Sequence, residues 1–302
     1  MKIFVAGASG AIGQPLIAEL VRLGHTVTGM TRSDAGAQSL AALGANVARV
    51  SAFDGSELEE ALRHSEAEIV IDELTSLPKD PADFPTAFPG DRKLRLEGGG
   101  NLHRIAQACG VRRYIQQSSG FFLKATAGLA TESDALAIDA SPGIAASAQM
   151  YAEIEMRLKS STAMEGVALR YGFFYGPNTW YCAEGATGQQ VRDRQFPIVG
   201  GGKAVWSFVH IEDAALATVA ALTCPTGVYN IVDSDPLPVS GWLPKFASWL
   251  GAPPPPHMTV EEARAAAGED AVYWGTRLSG ASNAKPQATL GFKPRRLQWL
   301  AD

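Results

Sequence analysis

The stretch Met1-Lys-Ile-Phe-Val-Ala-Gly7-Ala-Ser9-Gly10-Ala11-Ile12-Gly13 decides the reading of the chain. Ile3, Phe4, Val5 and Ala6 form a short apolar run, the pattern of a strand covered on both faces. Gly7, Gly10 and Gly13 follow at three-residue spacing. Leu16, Leu20 and Leu23 then share one helical face before Gly24 closes the segment. A strand passing through glycines into a helix start is an arrangement for holding phosphates. The first glycine permits the tight turn, the second lets backbone N–H groups approach a pyrophosphate, and the third lets the helix pack close to the strand. The helix N-terminus then faces the negative charge. Ser9, Ala11 and Ile12 lie within the turn and join the three glycines as expected cofactor contacts. The next strand, residues 25–33, returns beside the first after one helix, so the turn reads as a dinucleotide site.

The composition agrees with a globular enzyme-sized chain. With 302 residues, 46% of them hydrophobic, it can build one large domain or two modest ones. The net charge of −5 is dispersed and no Lys/Arg-rich run occurs, which excludes a nucleic-acid or anionic-membrane surface. No apolar run approaches the roughly 18 residues of a membrane helix, and no basic-then-apolar leader precedes the first strand, so a cytoplasmic protein is expected. Cys109, Cys182 and Cys224 are far apart and lack ligand spacing, so they read as reduced thiols and no metal site is expected.

Strands and helices alternate through the first half. A helix over 34–43, a strand over 46–51, a helix from Asp54 and a strand over 68–74 lead to Pro/Asp-rich loop material at 77–90. A helix over 91–109 and a strand over 112–120 follow. This alternation predicts a parallel sheet with right-handed crossovers, whose ligands sit outside the carboxyl ends of the strands. The second half reads as a helix over 144–159, a strand plus exit loop over 166–177, a helix over 214–222, a strand from Gly227 and a rigid extended spacer at 253–256.

Four separated motifs carry a family resemblance: the glycine turn, the Arg170-to-Pro177 stretch with its Tyr-Gly-Pro, Phe208-Val-His-Ile-Glu-Asp213, and Ser282-Asn-Ala-Lys285. Together they resemble the extended short-chain dehydrogenase/reductases, and within them the NAD(P)-dependent epimerase/dehydratase group. The resemblance implies an α/β fold with a Rossmann-type doubly wound parallel sheet of about seven strands. It implies a dinucleotide domain at 1–174 and 208–232, and a smaller substrate domain at 175–207 and 233–302. It also implies a homodimer through the helices at 93–109 and 144–159, and a small-molecule substrate in the cleft between domains.

The second strand ends Thr31-Arg32-Ser33, with no carboxylate for a ribose 2′-hydroxyl before Asp34. Arg32, with the Thr31 and Ser33 hydroxyls, is suited to a 2′-phosphate. NADP(H) is therefore expected, with NAD(H) as the alternative. Ser51 and Ala52 stand where the resemblance puts the adenine, and Asp54 reads as a helix N-cap. Leu74 and Thr75, after the fourth strand, are expected beside the cofactor.

Resemblance also implies a Tyr-x-x-x-Lys pair on the helix after strand five and a Ser/Thr at that strand's exit. Ser119 matches the serine. Aligned on Glu153, the helix carries Ala145 at the tyrosine position and Gln149, a possible ribose contact, at the lysine position. Tyr151 falls about 240° round the helix from Ala145 and reads as a packing or dimer-helix residue. Tyr171 is the first choice for a replacement proton donor, ahead of Tyr175 and Lys124. Asp72 and Glu73, adjacent on a strand, should point to opposite faces. Asp213 reads as an N-cap or a partner of Arg170, the Gly200-Gly-Gly-Lys203 run as a hairpin turn, and Trp180, Tyr181 and Trp206 as cleft-lining or core aromatics. The expected activity is hydride transfer between NADP(H) and a small carbonyl or alcohol, with Ser119 orienting the oxygen. A catalytically silent NADP(H) sensor and a sugar-nucleotide epimerase or dehydratase are the alternatives.

Overall fold

The computed structural model describes residues 1–300. The chain runs β1 (Lys2–Ala6), α1 (Gly13–Arg22), β2 (Thr26–Thr31), α2 (Asp34–Ala42), β3 (Asn46–Arg49), α3 (Gly55–Ser65) and β4 (Ile69–Asp72). It continues with α4 (Phe84–Lys93), a π-helical turn (Leu94–Gly98), α5 (Gly99–Ala108), β5 (Arg113–Ser119), α6 (Pro142–Ser160), β6 (Glu165–Tyr171) and β7 (Phe173–Tyr175). Then come α7 (Ala186–Arg192), β8 (Ile198–Val199), β9 (Val205–Trp206), β10 (Phe208–His210), α8 (Ile211–Ala220) and β11 (Gly227–Ile231). The remainder is β12 (Leu237–Pro238), α9 (Val239–Trp249), β13 (His257–Met258), α10 (Val260–Thr276) and α11 (Ala284–Leu290).

Seven strands pair in the order β11-β6-β5-β4-β1-β2-β3, all parallel, the doubly wound sheet that the apolar runs and glycine turn imply. Leu16, Ile17 and Leu20 of α1 and the alanines of α8 bury one face of the sheet. Leu58 and Leu62 of α3 and Leu102 and Ile105 of α5 bury the other. A separate core, centred on Trp242, Phe246, Phe208 and Trp299, gathers residues from 175–208 and 239–299. It lies next in sequence to the exits of β6 and β10, so its border with the sheet falls at the carboxyl edge.

Four expectations change. The helix expected from Asp91 starts seven residues earlier, at Phe84. Pro85 occupies its first turn, where a missing N–H costs nothing, and the chain tolerates Pro89 one turn later before widening into the π-helical turn. The glycine run at 200–203 is a turn with three positive φ values, but not a hairpin: β8 pairs with β13 and β9 with β12. Asp213 neither caps α8 nor meets Arg170. His210 Nδ1 accepts the Glu212 N–H at 3.2 Å as the cap, and Asp213 accepts from the Arg295 backbone at 2.8 Å and Nε at 3.0 Å. Strand β3 ends at Arg49, two residues short of Ser51.

Arg170 is instead held by Glu155 of α6 in a two-pronged buried ion pair, Nε–Oε1 2.7 Å and Nη2–Oε2 2.8 Å. Ser118 of β5 donates to the same carboxylate at 2.7 Å. One glutamate thus clamps α6 to two central strands. Removing it strands a buried guanidinium, which costs about 3–5 kcal/mol. Glu155→Ala is expected to lose that much in urea unfolding, whereas Glu153→Ala, at the surface side of the same helix, should lose far less.

Candidate active site

At the carboxyl ends of β1, β2 and β4 lies a cleft of about 170 Å³. Its walls bring together nine of the residues expected from sequence: Gly7, Ser9, Gly10, Thr31, Arg32, Ser51, Ala52, Leu74 and Thr75. Met30, Phe53, Glu73 and Leu94 line it as well. Leu94 could not be foreseen without knowing that the π-helical turn closes over the strand ends. Phe53 carried a weak signal, an aromatic directly after Ser51-Ala52.

The glycines are there because nothing larger fits. Gly7 has φ +74°, and a Cβ on it would stand 2.3 Å from the Glu73 carbonyl oxygen. A Cβ on Gly13 would stand 2.3 Å from the Ala8 carbonyl. At Gly10 the nearest atom is the Gly7 carbonyl at 3.1 Å, so Gly10 keeps the mouth of the cleft open rather than relieving an internal clash. Ile12 precedes α1 without any side-chain cap; the Gln14 N–H donates to the Gly10 carbonyl at 3.3 Å and Pro15 has no N–H, so of the first helical turn the Gly13 N–H is left for a ligand. Ala11 is exposed on the turn and Ile12 is buried in the core. These features fit the linked phosphates of a dinucleotide.

At the end of β2, Thr31 Oγ1 meets Ser9 Oγ at 3.2 Å, and Ser33 caps α2 by accepting the Gly36 N–H at 3.0 Å. Asp34 is turned away, paired with Arg49 at 2.6 Å. Arg32 is exposed, lines the cleft and has no hydrogen-bond or ion-pair partner among the described residues. Asp54 caps α3, accepting from the Ser56 and Glu57 N–H groups at 3.1 and 3.0 Å. Ser51 Oγ accepts the Phe53 N–H at 3.3 Å.

At the exit of β4 the two adjacent carboxylates do point to opposite faces. Asp72 accepts from Tyr114 at 2.8 Å and from the Leu74 N–H at 3.0 Å. Glu73 Oε1 accepts from Tyr171 at 2.9 Å. Thr75 donates to Asp91 at 3.0 Å, and Asp91 holds Arg95 at 2.8 Å, whose guanidinium reaches Gln117 and lies over the Tyr151 ring. Burial pushes the Glu73 carboxyl up to about 8, with the neighbouring Asp72 charge adding to the effect while Tyr171 and Arg95 oppose it.

The expected proton donors are engaged elsewhere. Tyr171 is fully buried, one hydrogen bond behind Glu73, and its phenol also meets Thr218 Oγ1 at 2.6 Å. Burial pushes that phenol well above its ordinary range, so it stands in the core rather than on the cleft wall. Tyr175 donates to the Arg296 carbonyl, and Lys124 pairs with Asp139 at the surface. Ser119 is buried, its Oγ accepting the Phe121 N–H at 3.4 Å. On α6, Ala145 is half-buried. Gln149 is exposed and reaches only the Ile138 carbonyl, at 3.5 Å; like Ala11, Ile12, Gly13 and Ser33 it does not line the cleft. Tyr151 packs against Phe122, with ring centroids 5.7 Å apart.

Two residues past Ser119 an aromatic cluster begins. Phe121 stacks on Phe173 at 4.1 Å and Phe173 on Trp206 at 4.3 Å, while Trp274 stands against all three rings at 5.7–6.0 Å. Phe121, Phe173 and Trp274 are half-buried; Trp206 and Tyr181 belong to the second core, and Trp180 Nε1 donates to the Pro78 carbonyl at 3.1 Å.

A doubly wound parallel sheet with a glycine turn and an open helix start defines a dinucleotide-binding class of protein. Residues 3–231 match the model of the NAD dependent epimerase/dehydratase family, and the chain belongs to that family. It is 37% identical over 302 residues to a 3-diazoavenalumate denitrifying reductase of Streptomyces sp, covering 99% of this chain and 98% of that one. Among solved structures it resembles UDP-glucose 4-epimerase of Thermus thermophilus in complex with NAD, with 22% identity, TM-score 0.76, and 99% and 96% of the two chains covered. It also resembles dTDP-glucose 4,6-dehydratase of Streptomyces venezuelae with NAD bound, with 16% identity, TM-score 0.77, and 99% and 93% covered. Among the described residues no helix is long and apolar enough to cross a membrane.

The Glu73 environment can be tested without any ligand. In the unfolded chain this glutamate ionises near its ordinary value; in the folded chain it stays protonated to about pH 8. Across that interval each rise in pH favours the unfolded chain. Glu73→Gln removes the titration, so it is expected to raise the melting temperature more at pH 9 than at pH 6 in calorimetry. An equal shift at both values would contradict the assignment.

Proposed function

We propose that the chain is an NADP(H)-dependent reductase that delivers hydride to a planar, conjugated electrophile. A diazo-bearing arene is the leading substrate class and an aryl or enone carbonyl the second. A bound nicotinamide supplies the hydride. The observation that carries the reading is that no phenol–lysine pair of the expected spacing exists and that the three candidate replacements are engaged. None of the seven tyrosines is followed four residues on by a lysine, and Tyr171, Tyr175 and Lys124 are committed to other partners.

Reduction of a carbonyl leaves an alkoxide that must take up a proton. Reduction of an arenediazonium does not: hydride forms the new C–H bond, the C–N bond breaks, and its electron pair leaves with N₂. A cleft without a phenol–lysine pair therefore suits the second reaction better than the first, in keeping with the diazo substrate and loss of nitrogen named for the Streptomyces relative. The half-buried Phe121 and Trp274 suit a flat ring better than a sugar, with Phe173 stacked between Phe121 and Trp206 behind them. Ser119, two residues before Phe121, is the hydroxyl assigned to orient a substituent oxygen. The silent-sensor alternative predicts tight cofactor binding without turnover.

For the cofactor, the unpartnered Arg32 beside Thr31 and Ser33 favours the 2′-phosphate of NADP(H), with the only nearby carboxylate, Asp34, occupied by Arg49. Charge-assisted hydrogen bonds of this kind contribute about 1.5–3 kcal/mol. Arg32→Ala is thus expected to weaken NADPH binding by tenfold or more in calorimetry and to leave NADH binding within about twofold; equal losses for both would refute the NADP(H) assignment. NADPH oxidation followed at 340 nm should proceed with an ortho- or para-hydroxyarenediazonium and release N₂. Absence of turnover with diazo arenes and with aryl aldehydes, quinones and enones alike would overturn the reductase in favour of the sensor.

A further inference from the structure

The carboxyl of Glu73 is only half used by the protein. Its side chain is 99% enclosed and Oε1 accepts from Tyr171, yet Oε2 is buried with no hydrogen-bond partner among the described residues. A buried carboxyl oxygen left without a partner costs free energy unless something else supplies one. Glu73 lines the same cleft as Gly7, Ser9 and Gly10, and its own carbonyl is what forbids a side chain at Gly7. Glu73 thus forms part of the wall behind the turn that would face a ligand's phosphates, with its free oxygen enclosed in that wall until a bound ligand or a side-chain rotation reaches it. An ionised carboxylate there would repel them, whereas a protonated one is a donor.

We propose that Glu73 is a cofactor-positioning residue that works as a neutral carboxylic acid, donating its Oε2 proton to an oxygen of the bound dinucleotide, with Tyr171 and Thr218 fixing its orientation. This rests on the dinucleotide reading of the cleft. The supporting groups form a directed chain. Thr218 Oγ1 lies 2.6 Å from the Tyr171 phenol and 2.8 Å from the Ala214 carbonyl, so its one proton can be given to either. When it goes to Tyr171, the phenol proton goes to Glu73 Oε1 and the carboxyl proton is left on Oε2, facing the ligand. The phenol that sequence reasoning cast as a proton donor thereby acts through Glu73, at the cofactor rather than at the substrate.

The surroundings keep the group neutral. The glycine turn contributes no charge and α8 contributes only the Thr218 hydroxyl. Asp72 on the same strand disfavours a second negative charge, while Tyr171 and the Arg95 guanidinium oppose it more weakly than burial favours it. Arg95 is itself satisfied by Asp91 and Gln117.

The test is NADPH affinity against pH for the full-length protein, by calorimetry between pH 7 and 9.5, where the cofactor's phosphates keep a constant charge. With the free carboxyl titrating at about 8, the dissociation constant should rise about tenfold from pH 7 to pH 9. Glu73→Gln, which keeps a donor and loses the titration, should bind within about threefold of the wild type at pH 7 and show no step. Tyr171→Phe removes a contact that favours the ionised form, so its step should move to higher pH. A wild-type profile flat across the range, or the same step in Glu73→Gln, would overturn the proposal. If the glutamine variant did not fold, the wild-type step and its displacement in Tyr171→Phe would still decide. No heat with NADPH or NADH at pH 7 would instead overturn the dinucleotide reading itself.

Discussion

The close approach of two backbones, at Gly7 and at the exit of β4, is the constraint on which the site depends. The Glu73 carbonyl occupies the space a Cβ on Gly7 would need. The turn after β1 therefore cannot be displaced without opening the sheet between its first and fourth strands. That contact sets the direction in which α1 begins, and with it the direction of the free Gly13 N–H. It also sets the distance between the phosphate turn and the carboxyl that stands behind it. One non-bonded contact thus fixes three chemical groups relative to each other, and local flexibility in any one would misplace the rest.

Charges inside the molecule are spent on holding this edge rigid. Glu155 joins α6 to β5 and β6, and Asp91 joins the end of α4 to the loop at Thr75 and Ser76 and to Arg95. Each acidic group has its oxygens satisfied by donors from different elements, the condition under which a buried ion pair is tolerated. Glu73 is the exception: of the acids at the strand ends, it alone keeps an oxygen back. The phenols of Tyr171 and Tyr175 are used here as framework, each bonded within the fold.

The local features of the chain were legible in advance. Apolar runs, glycine spacing and cap residues act over a few positions, so the alternating strands, the tight glycine turn, the Asp54 cap and the opposed directions of Asp72 and Glu73 could be read directly. Pairings across the fold could not. Asp213 reads from sequence as an N-cap or a partner of Arg170, yet Arg170 meets Glu155 because α6 crosses β6 on the side to which Arg170 points. The start of α4 was hidden by prolines that suit a first turn as well as a loop. Phe121, Phe173 and Trp274 come from three distant segments, and only the folded chain stacks them at one place. Tyr171 was found by position and misread by role, since sequence places a residue at a strand end without saying which way the hydroxyl is spoken for.

The bare start of α1 carries a consequence for how long the protein survives. No side chain closes the first turn of α1, and its Gly13 N–H has no partner among the described residues. A phosphate seated there finishes the helix as well as the site, so ligand and fold share one equilibrium. By mass action, a ligand at a hundred times its dissociation constant adds about 2.7 kcal/mol to the folded state. The supply of nucleotide then governs not only how fast such a protein turns over its substrate but how much of it escapes unfolding and proteolysis.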